Sequence, residues 1–251
     1  EAQQLGYAES DPSADVDGLD AARKIAILSS IAFNSRTTLD DVYVEGITSI
    51  TPADIKYARE LGYVIKLLAI AKEDEEGRIQ ARVHPAFLPL NHPLAFVNDV
   101  FNAVFVRGDA VGDIMHYGRG AGKMPTASAV VGDIIEIGRN LLNQSNARIG
   151  CTCYENKTIL GIQELQAKYY VRMTVADRPG VLAGIASVFG NNRVSIASVL
   201  QKTSEAGMAE LILITHKVRE QDLRDSLTVL KGMSIVGAID NVIRLEGSEA
   251  E

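Results

Sequence analysis

Residues 169–201 read YYVRMTVADRPGVLAGIASVFGNNRVSIASVLQ, and this stretch decides the fold of the C-terminal part. Val171, Met173 and Val175 alternate with polar positions, the period-two pattern of a half-buried strand. Asp177-Arg178-Pro179-Gly180 is a turn. Val181, Leu182, Ile185, Val188 and Phe189 then fall at helical spacing. Working outward, Val194 to Thr203 predicts a strand, Ser204 to Gly207 a hairpin turn, and Met208 to His216 the next strand. Glu220 to Leu230 predicts a helix, and Ser234 to Leu245 a closing strand. The order β-α-β-β-α-β is ferredoxin-like, and it reads as a separate small domain over residues 167–251.

Upstream, residues 143–166 (NQSNARIGCTCYENKTILGIQELQ) lose periodicity and predict a linker with one short strand around Ile159. Residues 1–142 predict a mixed β-sheet with covering helices, so the fold class is α+β. Thr51-Pro52-Ala53-Asp54 is a helix start, with a capping hydroxyl, Pro in the first turn and an early acid. That helix should end near Gly62. Tyr63 to Ala71 and Arg78 to Leu88 are strand-like runs joined by a charged turn. Ala103 to Val106 and Gly112 to Tyr117 supply shorter strands. A glycine-rich loop, Gly118-Arg119-Gly120-Ala121-Gly122, then runs into a long helix.

The chemistry concentrates near the start. GYAESDPSADVDGLDAARKIAI, residues 6–27, carries Glu9, Asp11, Asp15, Asp17 and Asp20 ahead of Lys24. Asp20 and Lys24 are four apart, so they share one helix face. Ile25 to Phe33 carries no charge, which predicts a helix buried all round. Reducing a carbonyl needs an acid near its oxygen, and a lysine beside carboxylates serves that purpose. A zwitterionic amino acid needs carboxylates for its ammonium group. The competing reading is a surface i,i+4 pair worth about 0.2–0.5 kcal/mol, with solvated acids around it.

Other motifs are weaker. The glycine loop can let a phosphate or ribose approach a helix N-terminus, but it lacks the surroundings of a dinucleotide fingerprint; the plain alternative is a tight turn. His84 and His92 each precede a proline and read as structural. His116 shows no triad spacing, and His216 should be exposed at a strand end. Cys151 and Cys153 form a C-x-C that is either half of a metal or redox site or two small linker residues; the second reading is preferred, and no metal-ligand set accompanies them.

The bulk properties bound the rest. A chain of 251 residues suggests two domains of ordinary size. A formal net charge of −7 argues against nucleic acid as a partner. No apolar run is long enough to span a membrane, and the first residues do not form a signal peptide. A reducing, cytoplasmic setting fits the cysteine use. The opening EAQQLGY reads like the end of an amphipathic helix, so the chain is expected to be a fragment.

GYAESDPSADVDGLDAARKIAIL and the later block VHPAFLPLNHPLAFVNDVFNAVFVRGDAVGDIMHYGRGAGKMPTASAVVGDI, residues 83–134, resemble the catalytic segment of the homoserine dehydrogenases. The stretch at 169–201 resembles the ACT domain that many bacterial members append. The resemblance implies a division into 1–142 catalytic and substrate-binding, 143–166 linker and 167–251 ACT regulatory domain. It implies interconversion of L-aspartate 4-semialdehyde and L-homoserine with NADP or NAD, on the route to threonine, methionine and isoleucine. By match, Lys24 is the proton donor and Asp20 its carboxylate neighbour. Glu9 and Asp15 match positions holding the substrate's amino and hydroxyl groups, and Gly122 one that touches the cofactor. The resemblance also implies an amino-acid effector, usually threonine, and a homodimer or homotetramer. The family's nucleotide-binding domain is expected upstream of Glu1, and the chain alone is expected to be inactive. The alternative is a non-catalytic amino-acid-binding and oligomerisation module.

Overall fold

The computed structural model describes residues 11–145, 150–203 and 207–247. Outside them lie Glu9, the opening residues read as a helix end, and residues 204–206 of the expected hairpin turn. The chain opens with a one-turn helix α1 (Ser13–Val16) and the helix α2 (Leu19–Ala32), followed by β1 (Tyr43–Val44) and α3 (Pro52–Glu60). Strands β2 (Tyr63–Glu73) and β3 (Ile79–Pro89) form a long hairpin. A second hairpin, β4 (Phe101–Gly108) and β5 (Gly112–Arg119), leads to the helix α4 (Lys123–Leu142). The C-terminal part is β6 (Gln166–Ala176), α5 (Val181–Asn191), β7 (Ile196–Thr203), β8 (Met208–Thr215), the short β9 (Val218–Arg219), α6 (Glu220–Lys231) and β10 (Val236–Leu245).

Local chemistry explains the main boundaries. Thr51 and Asp54 close a reciprocal capping box at α3, with Pro52 in its first turn. The β2–β3 turn is tied by Asp74, whose carboxylate accepts from the amides of Glu76 and Arg78 at 3.0 and 2.9 Å, while Gly77 takes a positive φ of 76°.

One sheet runs through both parts of the chain. Strand β2 pairs with β3 along its whole length. The opposite edge of β3 is shared in sequence: Ile79 meets Ile159 of the linker, Arg82 and Val83 meet β1, and Ala86 and Phe87 meet β10. All three contacts are parallel. From β10 the sheet continues β6-β8-β7, antiparallel throughout, which is the expected ferredoxin-like order. The linker is docked rather than loose, its Ile159 bridge sitting where a short strand was expected.

The two faces of this sheet carry different cores. Val171, Met173 and Val175 pack under α5 and α6 with Ile185, Phe189, Leu223 and Leu230. The alternate positions of β6 do not face water, contrary to the half-buried expectation. Tyr170 is fully buried with Tyr57, Phe87, Ile212 and Ile243, because α3 lies across that face. Arg172 on the same face is buried against Asp54 of α3, Nε to Oδ1 at 2.8 Å. A third cluster seats α2 on β3 through Ala22, Ile25, Ala26, Ala81 and Val83.

The expectation that α2 is buried all round is corrected. Its inner row of Ala22, Ile25, Ala26 and Ser29 is buried, whereas Ile27, Leu28 and Ile31 are exposed. The sheet covers only one side of the helix. Helix α4 buries none of its residues.

Candidate active site

The first element of the site is the corner between α1 and α2. Gly18 turns it with φ of 79°, in the left-handed region that favours glycine. A Cβ there would stand 3.0 Å from Val83 Cγ1, so glycine also allows the corner to lie flat on β3. Gly46 presses from the other side: a Cβ on it would meet Val16 O at 2.6 Å. The amide of Ile47 donates to that same carbonyl at 2.9 Å. Two close backbone approaches therefore fix where α2 begins.

One turn into α2, Lys24 Nζ lies 2.6 Å from Asp20 Oδ2. This is the pair predicted from spacing. Its setting is not the start of a helix buried all round, because the side chains are 67% and 43% exposed. In this chain the ammonium faces solvent, and such a pair contributes about 0.5 kcal/mol or less to stability. Asp15 is exposed in the one-turn helix before the corner. Asp11 accepts from the Ser13 amide at 3.1 Å, and that hydrogen bond holds its carboxyl below the usual value. Asp15, Asp20 and Lys24 thus lie on the same short α1–α2 segment.

Gly122 is placed elsewhere, as the N-cap of α4 beyond the β4–β5 hairpin, with φ of 126°. A side chain there would be strained, whatever the space around it. Two concavities, of about 200 and 430 Å³, lie at the linker junction and beside Arg193. Neither is lined by Asp15, Asp20, Lys24 or Gly122. Among the described residues no group of three or more His, Cys, Asp or Glu is placed to hold a metal ion. No helix there is long and apolar enough to cross a membrane.

Two of the four histidines have structural partners. His84 is fully buried; its Nδ1 donates to Pro85 O at 3.0 Å, and its Nε2 accepts from Arg82 Nε at 3.2 Å. Burial, reinforced by Arg244 nearby, pushes its pKa down to about 3, so it is neutral at ordinary pH. His92 Nδ1 accepts from the Leu94 amide at 3.2 Å and caps a short turn. His216 is exposed, as expected.

Sequence reading missed the buried ionic groups that join the two parts of the chain. Arg82 of β3 pairs with Glu246 at 2.7 Å. Arg244 of β10 reaches Glu45 and Glu220, each at 2.7 Å, with the Tyr43 ring beneath its guanidinium. Burial raises Glu220, but Arg244 outweighs it and holds the carboxyl below its ordinary value. The available signal was a charged residue inside an apolar run, as in ARVHPAFLP and NVIRLEG.

Comparison with known proteins follows this architecture. The family model described as homoserine dehydrogenase matches residues 1–135, and that of the ACT domain matches residues 169–233. A homoserine dehydrogenase from Corynebacterium glutamicum is 49% identical over 250 residues, which cover 98% of this chain and 56% of that protein. One from Mycobacterium tuberculosis is 46% identical, covering 99% of this chain and 58% of its own length. The crystal structure of a homoserine dehydrogenase from Thiobacillus denitrificans superposes with a TM-score of 0.90 at 40% identity, covering 98% of this chain and 57% of that one. That of S. aureus gives a TM-score of 0.70 at 32% identity, covering 98% and 57%. The chain therefore spans a little over half the length of these relatives. With more than half of its residues matched by one family model and a second model on its ferredoxin-like part, the chain belongs to the homoserine dehydrogenase family and ends in an ACT domain.

Proposed function

We propose that this chain is the catalytic and substrate-binding portion of an NAD(P)-dependent homoserine dehydrogenase, with residues 1–142 carrying the chemistry, 143–166 linking and 167–251 regulating. The reaction is the interconversion of L-aspartate 4-semialdehyde and L-homoserine, a cytoplasmic step toward threonine, methionine and isoleucine. The single observation behind the site is the Asp20–Lys24 pair at 2.6 Å on a helix whose start is fixed by Gly18 and Gly46. Lys24 gives a proton to the alkoxide oxygen forming on the substrate. Asp20 keeps the ammonium charged and aimed. Asp15, with Glu9, holds the substrate's hydroxyl and amino groups.

When bound, the nicotinamide supplies the hydride. Gly122 suits a contact with that cofactor, because its positive φ and missing side chain leave backbone exposed at the start of a long helix. The ACT domain takes an amino-acid effector, threonine by family habit, in a homodimer or homotetramer. Lys24→Ala in the full-length protein should lower turnover by about 10²–10⁴-fold, the usual worth of a general acid, without changing the melting temperature by more than a degree or two. Near-normal turnover would remove Lys24 from the mechanism.

The solvent exposure of Lys24 favours a second reading for the chain on its own, as a non-catalytic effector-binding and oligomerisation module. Cofactor fluorescence titration separates the two. Binding by the isolated chain speaks for catalysis, and its absence together with a threonine-dependent rise in melting temperature speaks for the module.

A further inference from the structure

The corner that starts α2 rests against residues that the C-terminal part of the chain holds in place. Glu45 and Gly46 follow directly on β1. Gly46 stands so close to the corner that a Cβ on it would lie 2.6 Å from Val16 O and 2.7 Å from Asp17 Cα. From the corner's own side, a Cβ on Gly18 would lie 3.5 Å from Val44 Cγ1 and 3.7 Å from Glu45 O. The Ile47 amide closes the contact by donating to Val16 O at 2.9 Å. Backbone meets backbone here, so a displacement of Glu45 reaches the corner with little to absorb it.

Glu45 is itself tied from two directions. Its amide donates to Val83 O of β3 at 2.8 Å. Its Oε2 accepts from Tyr43 Oη at 3.0 Å and from Arg244 Nη1 at 2.7 Å. The same guanidinium gives its other edge to Glu220, Nε to Oε2 at 3.0 Å and Nη2 to Oε1 at 2.7 Å. Glu220 opens α6 of the ACT domain. There its amide donates to Leu165 O at 2.7 Å, and its Oε2 accepts from Tyr169 Oη at 2.7 Å. Arg244 and Glu220 are buried, and Glu45 is half-buried. One planar fork therefore sets the distance between the first turn of an ACT-domain helix and the residue that abuts the corner. A lysine, which is a single point charge, cannot hold both carboxylates in that geometry.

We propose that Arg244 is a positioning residue for the reaction. Through Glu45 it sets the α1–α2 corner, and with it Asp15, Asp20 and Lys24, relative to the ACT domain. The inference rests on the roles proposed for those three residues. Arg244 does no chemistry of its own; it acts through the backbone of residues 45–47. A misplaced Lys24 delivers its proton less well, and a misplaced Asp15 holds the substrate less well.

The test uses the full-length protein and reads two things. One is L-homoserine oxidation, and the other is amide exchange at Ile47 and, for reference, at Leu213 in the ACT core. Glu45→Gln removes the charge that meets Arg244, keeps the side chain's size and leaves Arg244 its pairing with Glu220. Arg244→Lys keeps the charge and loses the fork. Both should speed exchange at Ile47 by about tenfold and leave Leu213 unchanged. Both should lower kcat/KM for homoserine by about 10–100-fold, the scale of a misplacement on the order of 1 Å, with the KM of the cofactor unchanged. Ile185→Val loosens the buried ACT core without touching the fork, and should change neither kcat/KM nor exchange at Ile47. Unchanged exchange at Ile47 in both fork variants would overturn the link to the corner. Faster exchange with wild-type kcat/KM, in a protein that Lys24→Ala inactivates, would overturn the positioning role, and so would an equal loss in Ile185→Val. Near-normal turnover of Lys24→Ala would instead refute the roles proposed for the site, and exchange at Ile47 would still decide whether Arg244 holds the corner.

Discussion

Replacing Asp54 with alanine tests whether the ACT domain and the part of the chain before it are held together by buried charge. Asp54 is fully buried and accepts from Arg172 Nε at 2.8 Å, Asn241 Nδ2 at 2.8 Å, the Thr51 amide at 2.9 Å and Thr51 Oγ1 at 2.7 Å. Burial pushes its pKa up, but the bonds from Arg172, Asn241 and Thr51 outweigh that and leave the carboxyl below its ordinary value. Losing the cap costs about 1 kcal/mol. Leaving Arg172 buried without its main partner costs about 3–5 kcal/mol. The two costs overlap, since Arg172 keeps Glu210 at 3.2 Å, so a total of about 4 kcal/mol is expected. At about 2–4 °C per kcal/mol for a chain of this size, the melting temperature should fall by about 10 °C. Urea unfolding followed by circular dichroism gives the free energy, and Arg172→Met, alone and combined with Asp54→Ala, completes a double-mutant cycle. The double variant should be less destabilised than the sum of the singles by about 1 kcal/mol or more, because neither buried charge is left alone. A loss under about 1 kcal/mol for Asp54→Ala, or additivity in the cycle, would refute the reasoning.

Further predictions concern pH and backbone. His84 has a folded pKa of about 3 against about 6.5 unfolded, so the unfolded chain binds the extra proton between those values. Its contribution is complete above about pH 6.5 and is lost as pH falls toward 3, at up to about 1.4 kcal/mol per unit. His92 is lowered by burial and acts with the same sign. The carboxylates of Glu220 and Glu246 are also depressed, so their contributions persist above the ordinary glutamate value and are lost only below it. Urea midpoints should therefore decline already between about pH 6.5 and 5, and His84→Gln should flatten that limb; an unchanged limb would contradict the assignment. Gly18→Ala combines an unfavourable positive φ with a Cβ 3.0 Å from Val83. It should cost about 1–3 kcal/mol, measured by the same titration, and a neutral effect would show that the α1–α2 corner tolerates a side chain.

Much of the fold was legible because period and punctuation agreed. The strand Val171-Met173-Val175, the Asp177–Gly180 turn and the spacing of Val181, Ile185 and Phe189 each point to one βα unit, and the structure places them in one core. The Thr51-Pro52-Asp54 start was legible because capping is local chemistry. What escaped was non-local. Nothing in the spacing of β6 tells that α3 covers its second face, so Arg172 read as a solvated position. Nothing local tells that β10 joins β3 at Ala86 and Phe87, so the ACT part read as separate. Of the site, the Asp20–Lys24 pair was legible from i,i+4 geometry, but its exposure was not, because an uncharged run does not say which side of a helix finds a partner.

That exposure reshapes the reading of α2. Positions 20, 24, 27, 28 and 31 follow the three- and four-residue helical repeat (20→24, 24→27 and 24→28, 27 and 28→31), so they lie along one face. The outer face of α2 therefore carries the ion pair at its start and exposed Ile27, Leu28 and Ile31 beyond it. The inner face, with Ala22, Ile25, Ala26 and Ser29, is fully occupied by the sheet and leaves no room for a substrate. If Lys24 is the proton donor, the aldehyde binds on the outer side, where an apolar surface runs away from a charged pair. An ammonium in bulk water is a weak director of chemistry, because solvent screens its field and competes for its hydrogen bonds. Covering Ile27, Leu28 and Ile31 would exclude that water and strengthen the pull of the Lys24 ammonium, kept charged by Asp20, on a forming alkoxide. The apolar stripe and the ion pair are in this sense one feature, and the catalysis proposed for Lys24 requires the stripe to be covered when the substrate is bound.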